Sequence, residues 1–430
     1  MEQLNLNRVY NQLTLFGSYN KNSIGDKIIL VSLLDLIFRT LPEVKISLLT
    51  FNFDDKLSLI KEIEPYNWSK NVEVNSIYKK QIQNSGVSTK DNRIILKSTL
   101  KNIVSKVFPR ALYEKIKYII NITKFVTALP SNLERDSKGL IIGGGNLLMD
   151  LFPIWPIILY FITSQFKKAE LPIIIAGVGA FPINTFIGKV LLRNIVSSAS
   201  QVYVRDSKTR NFLKDYWNLH SEYSPDFAFS FPNIDKIKFQ VNNLVAINVA
   251  PVYSQQWPYK NKFKYDNYIN SLSKSFLTYY LNNPECYFWF YHTNYPTDQL
   301  GAIDIITKMI SLGIPAEKIQ HEDKLLTAST IALKLKSCKF AVTTRLHAAI
   351  LALKFGLPII SIAYQPKVKN ILYDLDLAKV VVDISNLKLL HVYLQSIDSE
   401  SWKFKLTNKK LEQLDQMNVK TIQSILQCIS

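Results

Sequence analysis

Short apolar runs alternate along this chain with longer segments of helical apolar spacing, and several runs end in turns built from Gly, Ser, Asp, Arg or His. A short run that is apolar throughout suits a strand buried on both faces. Following each run with a helix supplies the crossover that a parallel neighbour requires. In the first half the spacing predicts strands over Asn11–Phe16, Val44–Thr50, Gly139–Ile142, Pro172–Ala176 and Gln201–Val204, and helices over Ile24–Arg39, Ile154–Lys168 and Thr185–Ser198. The pattern restarts near Val241, with strands over Leu244–Val249, Cys286–Tyr291, Lys339–Val342, Pro358–Ile362 and Val380–Val382. Helices are expected over Asp266–Leu281, Thr297–Leu312, Leu325–Lys336, the segment after Arg345, Ser385–Gln395 and Lys409–Gln427. This is the signature of doubly wound parallel α/β sheets.

At 430 residues the chain exceeds one ordinary core, so two domains are expected. The break falls at Phe231–Val241, where Pro232 and polar residues interrupt the rhythm, giving domains of residues 1–235 and 236–430. The last helix is free to pack back on the first domain. Tyr66–Lys138 departs from the pattern as a basic insertion, in which Ile94, Ile95, Leu100, Ile103, Val104 and Val107 recur at near-helical spacing. That stripe suits either docking on anionic lipid or packing against its own domain.

Apolar residues make up 47% and charged residues 20%, a globular balance. A formal charge of +18 favours nucleic acid, anionic headgroups or phosphorylated substrates, unless it reflects only a Lys-rich solvated surface. No helix-turn-helix, zinc-finger or RNA-binding pattern accompanies it, so nucleic acid is not expected as a partner. Three scattered cysteines, Cys286, Cys338 and Cys428, offer neither a disulfide framework nor a metal-ligand spacing, so no metal is expected. The chain does not open on a basic-then-apolar signal pattern. The apolar stretch Leu147–Phe161 is interrupted by Asp150, Pro153 and Pro156 and is too short to span a bilayer; it suits a buried core segment first and a monotopic membrane contact second. A cytoplasmic location is expected, with contact at the inner face of the membrane if the basic insertion docks there.

The chemistry-bearing residues sit after strands, where open α/β sheets bind ligands. Arg345 and His347 lie between a strand and a helix; a guanidinium fork grips carboxylate or phosphate, and an imidazole moves protons near neutral pH. The alternative is an Arg capping carbonyls and a His packed in the turn. Gly17–Asp26 opens the first helix, with Asn22 and Asp26 as polar candidates, but matches neither a dinucleotide nor a P-loop pattern. Gly143, Gly144 and Gly145 remove side chains where something must approach closely, and Asp150 beyond them is an acid, base or capping residue. Arg205 follows another strand as a second anion clamp or a salt-bridge partner, with Asp206 and Ser207 as a helix cap. Asp226, His292 and Lys367 complete the set, Lys367 adding positive charge near Arg345.

The ordered blocks GSYNKNSIGD, GGGNLLMD, GVGAFP, VRDSKT, SPDFAF and TTRLHAAILALKFGLPIISIAY, then Lys367, resemble the polysaccharide pyruvyl transferase family from about Gly17 to Lys367. The resemblance implies two Rossmann-like domains arranged as in GT-B glycosyltransferases, with the ligand cleft between them. It implies transfer of a pyruvyl group from phosphoenolpyruvate, as co-substrate and without another cofactor, to a sugar acceptor of a cell-surface polysaccharide. Apart from the resemblance, an acceptor carried on a lipid-linked oligosaccharide would account for the basic insertion. Carried over position by position, Arg345, Leu346, His347 and Arg205 line the donor site. His347 is then expected as the acid and Asp150 or Asp26 as the base. Thr344 stands where many members carry Gly or Ser, and the basic insertion has no clear counterpart, which leaves the acceptor open. A nucleotide-sugar glycosyltransferase and a non-catalytic glycan-binding relative share the expected architecture.

Overall fold

The computed structural model describes residues 12–50, 53–76, 133–234, 243–257 and 259–429. Two parallel sheets, each interleaved with helices, form an α/β structure. The first runs β3-β2-β1-β4-β5-β6-β7, with β1 Leu13–Phe16, β2 Ile46–Thr50, β3 Val72–Ser76, β4 Leu140–Leu148, β5 Ile173–Ala180, β6 Gln201–Val204 and β7 Glu222–Tyr223. Its helices are α1 Ile24–Thr40, α2 Phe53–Ile63, α3 Ile154–Lys168, α4 Phe186–Ser197 and α5 Ser207–Trp217. The second sheet runs β10-β9-β8-β11-β12-β13, with β8 Leu244–Asn248, β9 Tyr287–Phe290, β10 Ile319–His321, β11 Phe340–Thr343, β12 Ile359–Ala363 and β13 Val381–Asp383. Around it lie α6 Lys262–Asn282, α7 Thr297–Ser311, α8 Ala328–Leu335, α9 Leu346–Lys354, α10 Pro366–Asp374, α11 Leu389–Ser396 and α12 Asn408–Ile429. In each sheet the strand order reverses beside its first strand, between β1 and β4 and between β8 and β11. Such a reversal opens a crevice at the carboxyl ends of the strands.

Several boundaries differ from the sequence expectation. β4 does not stop at Ile142: it runs through the three glycines to Leu148, with a register shift between Gly145 and Leu148. Gly144 and Gly145 take φ of +70° and +80°, which only glycine adopts without strain, so the strand bulges instead of turning. β5 likewise passes through Gly177 and Gly179 to Ala180. α2, β3 and β10 had no clear sequence signal. β3 also shortens the proposed insertion, since Val72–Ser76 pairs with β2 in the first sheet. Most of the basic insertion, with its apolar stripe, lies outside the described residues.

The two halves are tied together at backbone level. The Ile24 amide donates to the Thr293 carbonyl at 2.8 Å, and the Tyr295 amide to the Asn22 carbonyl at 3.0 Å, around a Ser23–Asn294 antiparallel bridge. α12 returns to the first sheet, where Arg39 grips Asp415 with two nitrogens at 3.2 and 3.1 Å and Tyr203 donates to Ser424 at 2.9 Å. One continuous apolar cluster runs from β1 and α1 through the second sheet to α12.

Candidate active site

Arg205 follows β6, and its buried guanidinium meets Asp226, Nη1 to Oδ2 at 2.6 Å. A buried cation requires such a partner. Gly179 makes room for it: a Cβ there would lie 3.1 Å from Arg205 Nε. From the other sheet, His347 brings Nε2 to 3.4 Å from Arg205 Nη1 and 3.7 Å from Asp226 Oδ2. Arginine carries only donors, so against Arg205 the ring accepts at Nε2 and holds its proton on Nδ1; once protonated, it has Asp226 to face. The ring lies against the first turn of α1, where a Cβ on Gly25 would sit 2.3 Å from Nδ1. Burial alone would raise the Asp226 carboxyl, but Arg205, His347 and the Ala228 amide hold it well below the ordinary carboxylate range.

Arg345 is the N-cap residue of α9, at the switch point of the second sheet. Its Nε and Nη2 donate to Asp298 Oδ1 at 3.0 and 2.6 Å, and Nη1 to the Tyr364 hydroxyl at 3.0 Å. The indole of Trp257 and the Tyr364 ring lie against the guanidinium, with centroids 5.8 and 6.0 Å from Cζ. Asp298 is wholly buried, and its Oδ2 accepts the Thr293 and Asn294 amides at 3.2 and 2.9 Å.

Lys367 enters on the first turn of α10, after Pro366. It is half-buried, and its ammonium has no hydrogen bond or ion pair among the described residues. Burial and the repulsion of Arg205 and Arg345 pull its pKa down to about 8, against the opposing pull of Asp26 and Asp226. Asp26, on the first turn of α1, is shifted the other way: burial raises its pKa, although His347, the Ser23 hydroxyl, Lys367 and Arg205 all work to lower it. Arg205, Arg345, Lys367, His347 and Asp26 therefore act on one another across the two halves. The first turns of α1, α9 and α10 meet there, and helix N-termini favour anions.

Other candidates from the sequence lie elsewhere. Asp150 is engaged at the start of α4, accepting the Asn184 amide at 2.8 Å, the Thr185 amide at 2.5 Å and the Thr185 hydroxyl at 2.7 Å. A carboxylate so satisfied and held below its ordinary pKa is a poor proton acceptor, which corrects its expected role as base. Leu346 is 3% exposed and belongs to the apolar core, because the residue beside Arg345 on α9 faces inward. His292 is buried, with Nε2 at 2.8 Å from the Glu322 carbonyl and 3.1 Å from His321; burial lowers its pKa, so it packs as a neutral ring rather than lining the anion site. At Gly144 the approaching group is Ile29 of α1, since a Cβ there would lie 2.0 Å from Ile29 Cγ2. Gly145 does face the cluster: its nearest neighbour is Asp26 Oδ1, at 3.9 Å from where a Cβ would be. Asn22 is exposed, and its backbone serves the clasp between the halves. The sequence reading passed over Trp257 and gave Tyr364 and Asp298 no role. Among the described residues no group of three or more His, Cys, Asp or Glu is arranged to hold a metal ion.

Solved structures similar over the whole chain include S. aureus MnaA with UDP (9% identity, TM-score 0.54, covering 96% of this chain and 94% of that one). A UDP-GlcNAc 2-epimerase from Methanocaldococcus jannaschii (10% identity, TM-score 0.54, covering 96% and 99%) is similar to the same degree. So is Medicago truncatula UGT71G1 with UDP-glucose (10% identity, TM-score 0.52, covering 98% of each chain). At such identities the likeness speaks for the fold alone, that of two-domain GT-B-type epimerases and glycosyltransferases. No curated protein sequence matches the chain. The family model for polysaccharide pyruvyl transferase spans residues 24–366, from the first residue of α1 to the first residue of α10. By that match over most of its length, the chain belongs to the polysaccharide pyruvyl transferase family.

Proposed function

We propose that this transferase moves the pyruvyl group of phosphoenolpyruvate onto two hydroxyls of a sugar, forming a pyruvate ketal in the synthesis of a cell-surface or exported polysaccharide. The observation that carries the reading is Lys367. Each arginine of the cluster already has a carboxylate partner, while this lysine, repelled by both, has none among the described residues. A doubly anionic ligand supplies the missing charge. Phosphoenolpyruvate carries a carboxylate and a phosphate on a three-carbon frame, short enough for both groups to meet the same cluster. Charge-assisted contacts from Lys367, with the field of the two guanidiniums, fix it in one pose.

The chemistry follows from the charges. His347 gives a proton to the methylene carbon of the donor, leaving an oxocarbenium-like centre at the phosphate-bearing carbon. The first sugar hydroxyl adds there and loses its proton to Asp26, whose raised pKa suits the task. The bond from carbon to the phosphate oxygen then breaks, and the cations hold the departing phosphate. The second hydroxyl adds to the same carbon and closes the ketal. Of the two hydroxyl protons, one balances the new methyl group and the other leaves with phosphate. General acid–base help of this kind is worth roughly 100- to 10,000-fold in rate. Phosphoenolpyruvate is itself the activated donor, so the reaction calls for no further cofactor. Trp257 and Tyr364, beside Arg345, give a sugar ring an apolar wall.

The test is mass spectrometry of candidate glycans after incubation with phosphoenolpyruvate, with inorganic phosphate measured in parallel. The expected result is a glycan gaining one pyruvate less one water, with one phosphate released per adduct. Consumption of a nucleotide-sugar with phosphoenolpyruvate untouched would replace this reading with glycosyl transfer.

A further inference from the structure

Five large apolar side chains stand exposed on two adjoining loops, and on the helix that one of them opens, at the carboxyl end of the first sheet. Leu151 and Phe152 follow β4; Phe186, Ile187 and Val190 occupy the first turns of α4; their exposures run from 48% to 80%. Positions 186, 187 and 190 share one face of that helix. The loops are fixed to each other. The Phe181 amide donates to the Leu148 carbonyl and the Asp150 amide to the Pro182 carbonyl, each at 3.0 Å, while the Asp150 carboxylate holds Asn184 and Thr185. A Cβ on Gly188 would lie 2.6 Å from Asp150 Oδ2, so the two loops touch directly. Asp150, which the proposed chemistry does not use, thus sets the apolar tips side by side.

Apolar area held this rigidly in water calls for a cover. Charge selects it. From Leu151 to Val204 the only acidic residue is Glu170, beyond the far end of α3, whereas Lys189 and Arg193 are exposed on α4 among the apolar tips. The nearest carboxylate, Asp150, is buried and engaged by Asn184 and Thr185, so the exposed apolar side chains are flanked by cations and match an anionic lipid surface. Among the described residues no helix is long and apolar enough to cross a membrane.

We propose that this patch docks the protein on an anionic lipid bilayer, with Phe152, Phe186 and Ile187 inserted among the headgroups and Lys189 and Arg193 on lipid phosphates. Arg205 also follows a strand of that parallel sheet, so the patch and the anion-binding cluster lie at the same, carboxyl end of its strands. That suits an acceptor whose lipid carrier stays in the bilayer, although docking itself does not depend on the reaction proposed above.

The experiment is flotation of the full chain with vesicles of equal parts phosphatidylcholine and phosphatidylglycerol. It compares the wild type with Phe186→Ser/Ile187→Ser and, separately, with Phe152→Ser. The wild type is expected to float, and the double variant's partitioning to fall about tenfold or more, with an unchanged thermal midpoint. Phosphate release on a water-soluble acceptor should stay the same in both variants. Equal flotation of wild type and variants would overturn the proposal, as would a wild type that does not float. Light scattering that shows a wild-type dimer broken by the double variant, without flotation, would reassign the patch to self-association.

Discussion

One oxygen of Asp298 accepts both Nε and Nη2 of Arg345, at 3.0 and 2.6 Å, while its other oxygen accepts the amide of Asn294 in the clasp between the two halves. A single buried carboxylate thus aims the arginine and fastens the loop opposite α1. Asp298→Asn keeps the shape and removes the charge. Breaking a buried pair on one side costs about 3 kcal/mol or more. The variant is expected to lower the thermal midpoint and to cut phosphate release from phosphoenolpyruvate by about 100-fold, the lower range of acid–base and positioning effects. Wild-type turnover in this variant would mean that Arg345 does not act on the donor.

Gly25→Ala tests the placement of His347. In a helix interior this change ordinarily stabilises by about 1 kcal/mol. Here the new Cβ would stand 2.3 Å from His347 Nδ1 and 3.2 Å from its Cβ, so the imidazole must move. Circular dichroism is expected to show an intact fold and phosphate release to be nearly abolished. An active Gly25→Ala enzyme would show that the observed ring position is not the working one.

Lys367 gives the donor site a pH limit. Its ammonium is present below a pKa of about 8 and is lost above it, so the anion should bind best below pH 8. The KM for phosphoenolpyruvate is expected to climb above that point, approaching about tenfold per pH unit, and Lys367→Met should show a high KM with no such break. Stability responds in the opposite sense. The unfolded chain holds this proton up to about 10.5, so between about 8 and 10.5 it binds more protons than the folded chain, and this group's contribution to stability rises with pH. A flat KM profile through pH 9 would remove Lys367 from the donor site.

Asp150→Ala is expected to spare turnover and weaken the fold. Burial would raise the Asp150 pKa, but the Thr185 hydroxyl and the Asn184 and Thr185 amides hold it below the ordinary 3.8. Its contribution is therefore present above that value and lost as pH falls through the lower folded pKa. Losing such charge-assisted hydrogen bonds costs about 1.5 to 3 kcal/mol, readable as a drop in urea midpoint at pH 7 that shrinks in acid. A large fall in kcat with unchanged stability would return Asp150 to the chemistry.

The repeating strand-then-helix pattern carried the parallel sheets because burial on both faces leaves an unbroken apolar run in the sequence. β10, only Ile319–His321, and β3, whose outer positions are half exposed, leave no such run. Glycine clusters read as turns because the same positive φ serves a turn or a bulge; only pairing with β5 shows that β4 continues. The arginines were visible as strand-end residues, but their carboxylates were not. Asp226 stands 21 residues from Arg205, Asp298 stands 47 from Arg345, and His347 meets Arg205 across 142 residues, separations at which no periodicity reports a contact. Leu346 enters the expected site through the resemblance and His292 as a strand-end residue, and both side chains prove buried away from the anion cluster.

Titration calorimetry bears most directly on the cationic cluster. Phosphoenolpyruvate is titrated at pH 7 into the wild type, Arg205→Lys and Lys367→Met, with UDP-glucose as the competing ligand. The expected result is a single phosphoenolpyruvate site in the wild type that is lost in both variants, with UDP-glucose failing to displace it. Undiminished phosphoenolpyruvate binding in both variants, or binding of UDP-glucose alone, would contradict the account.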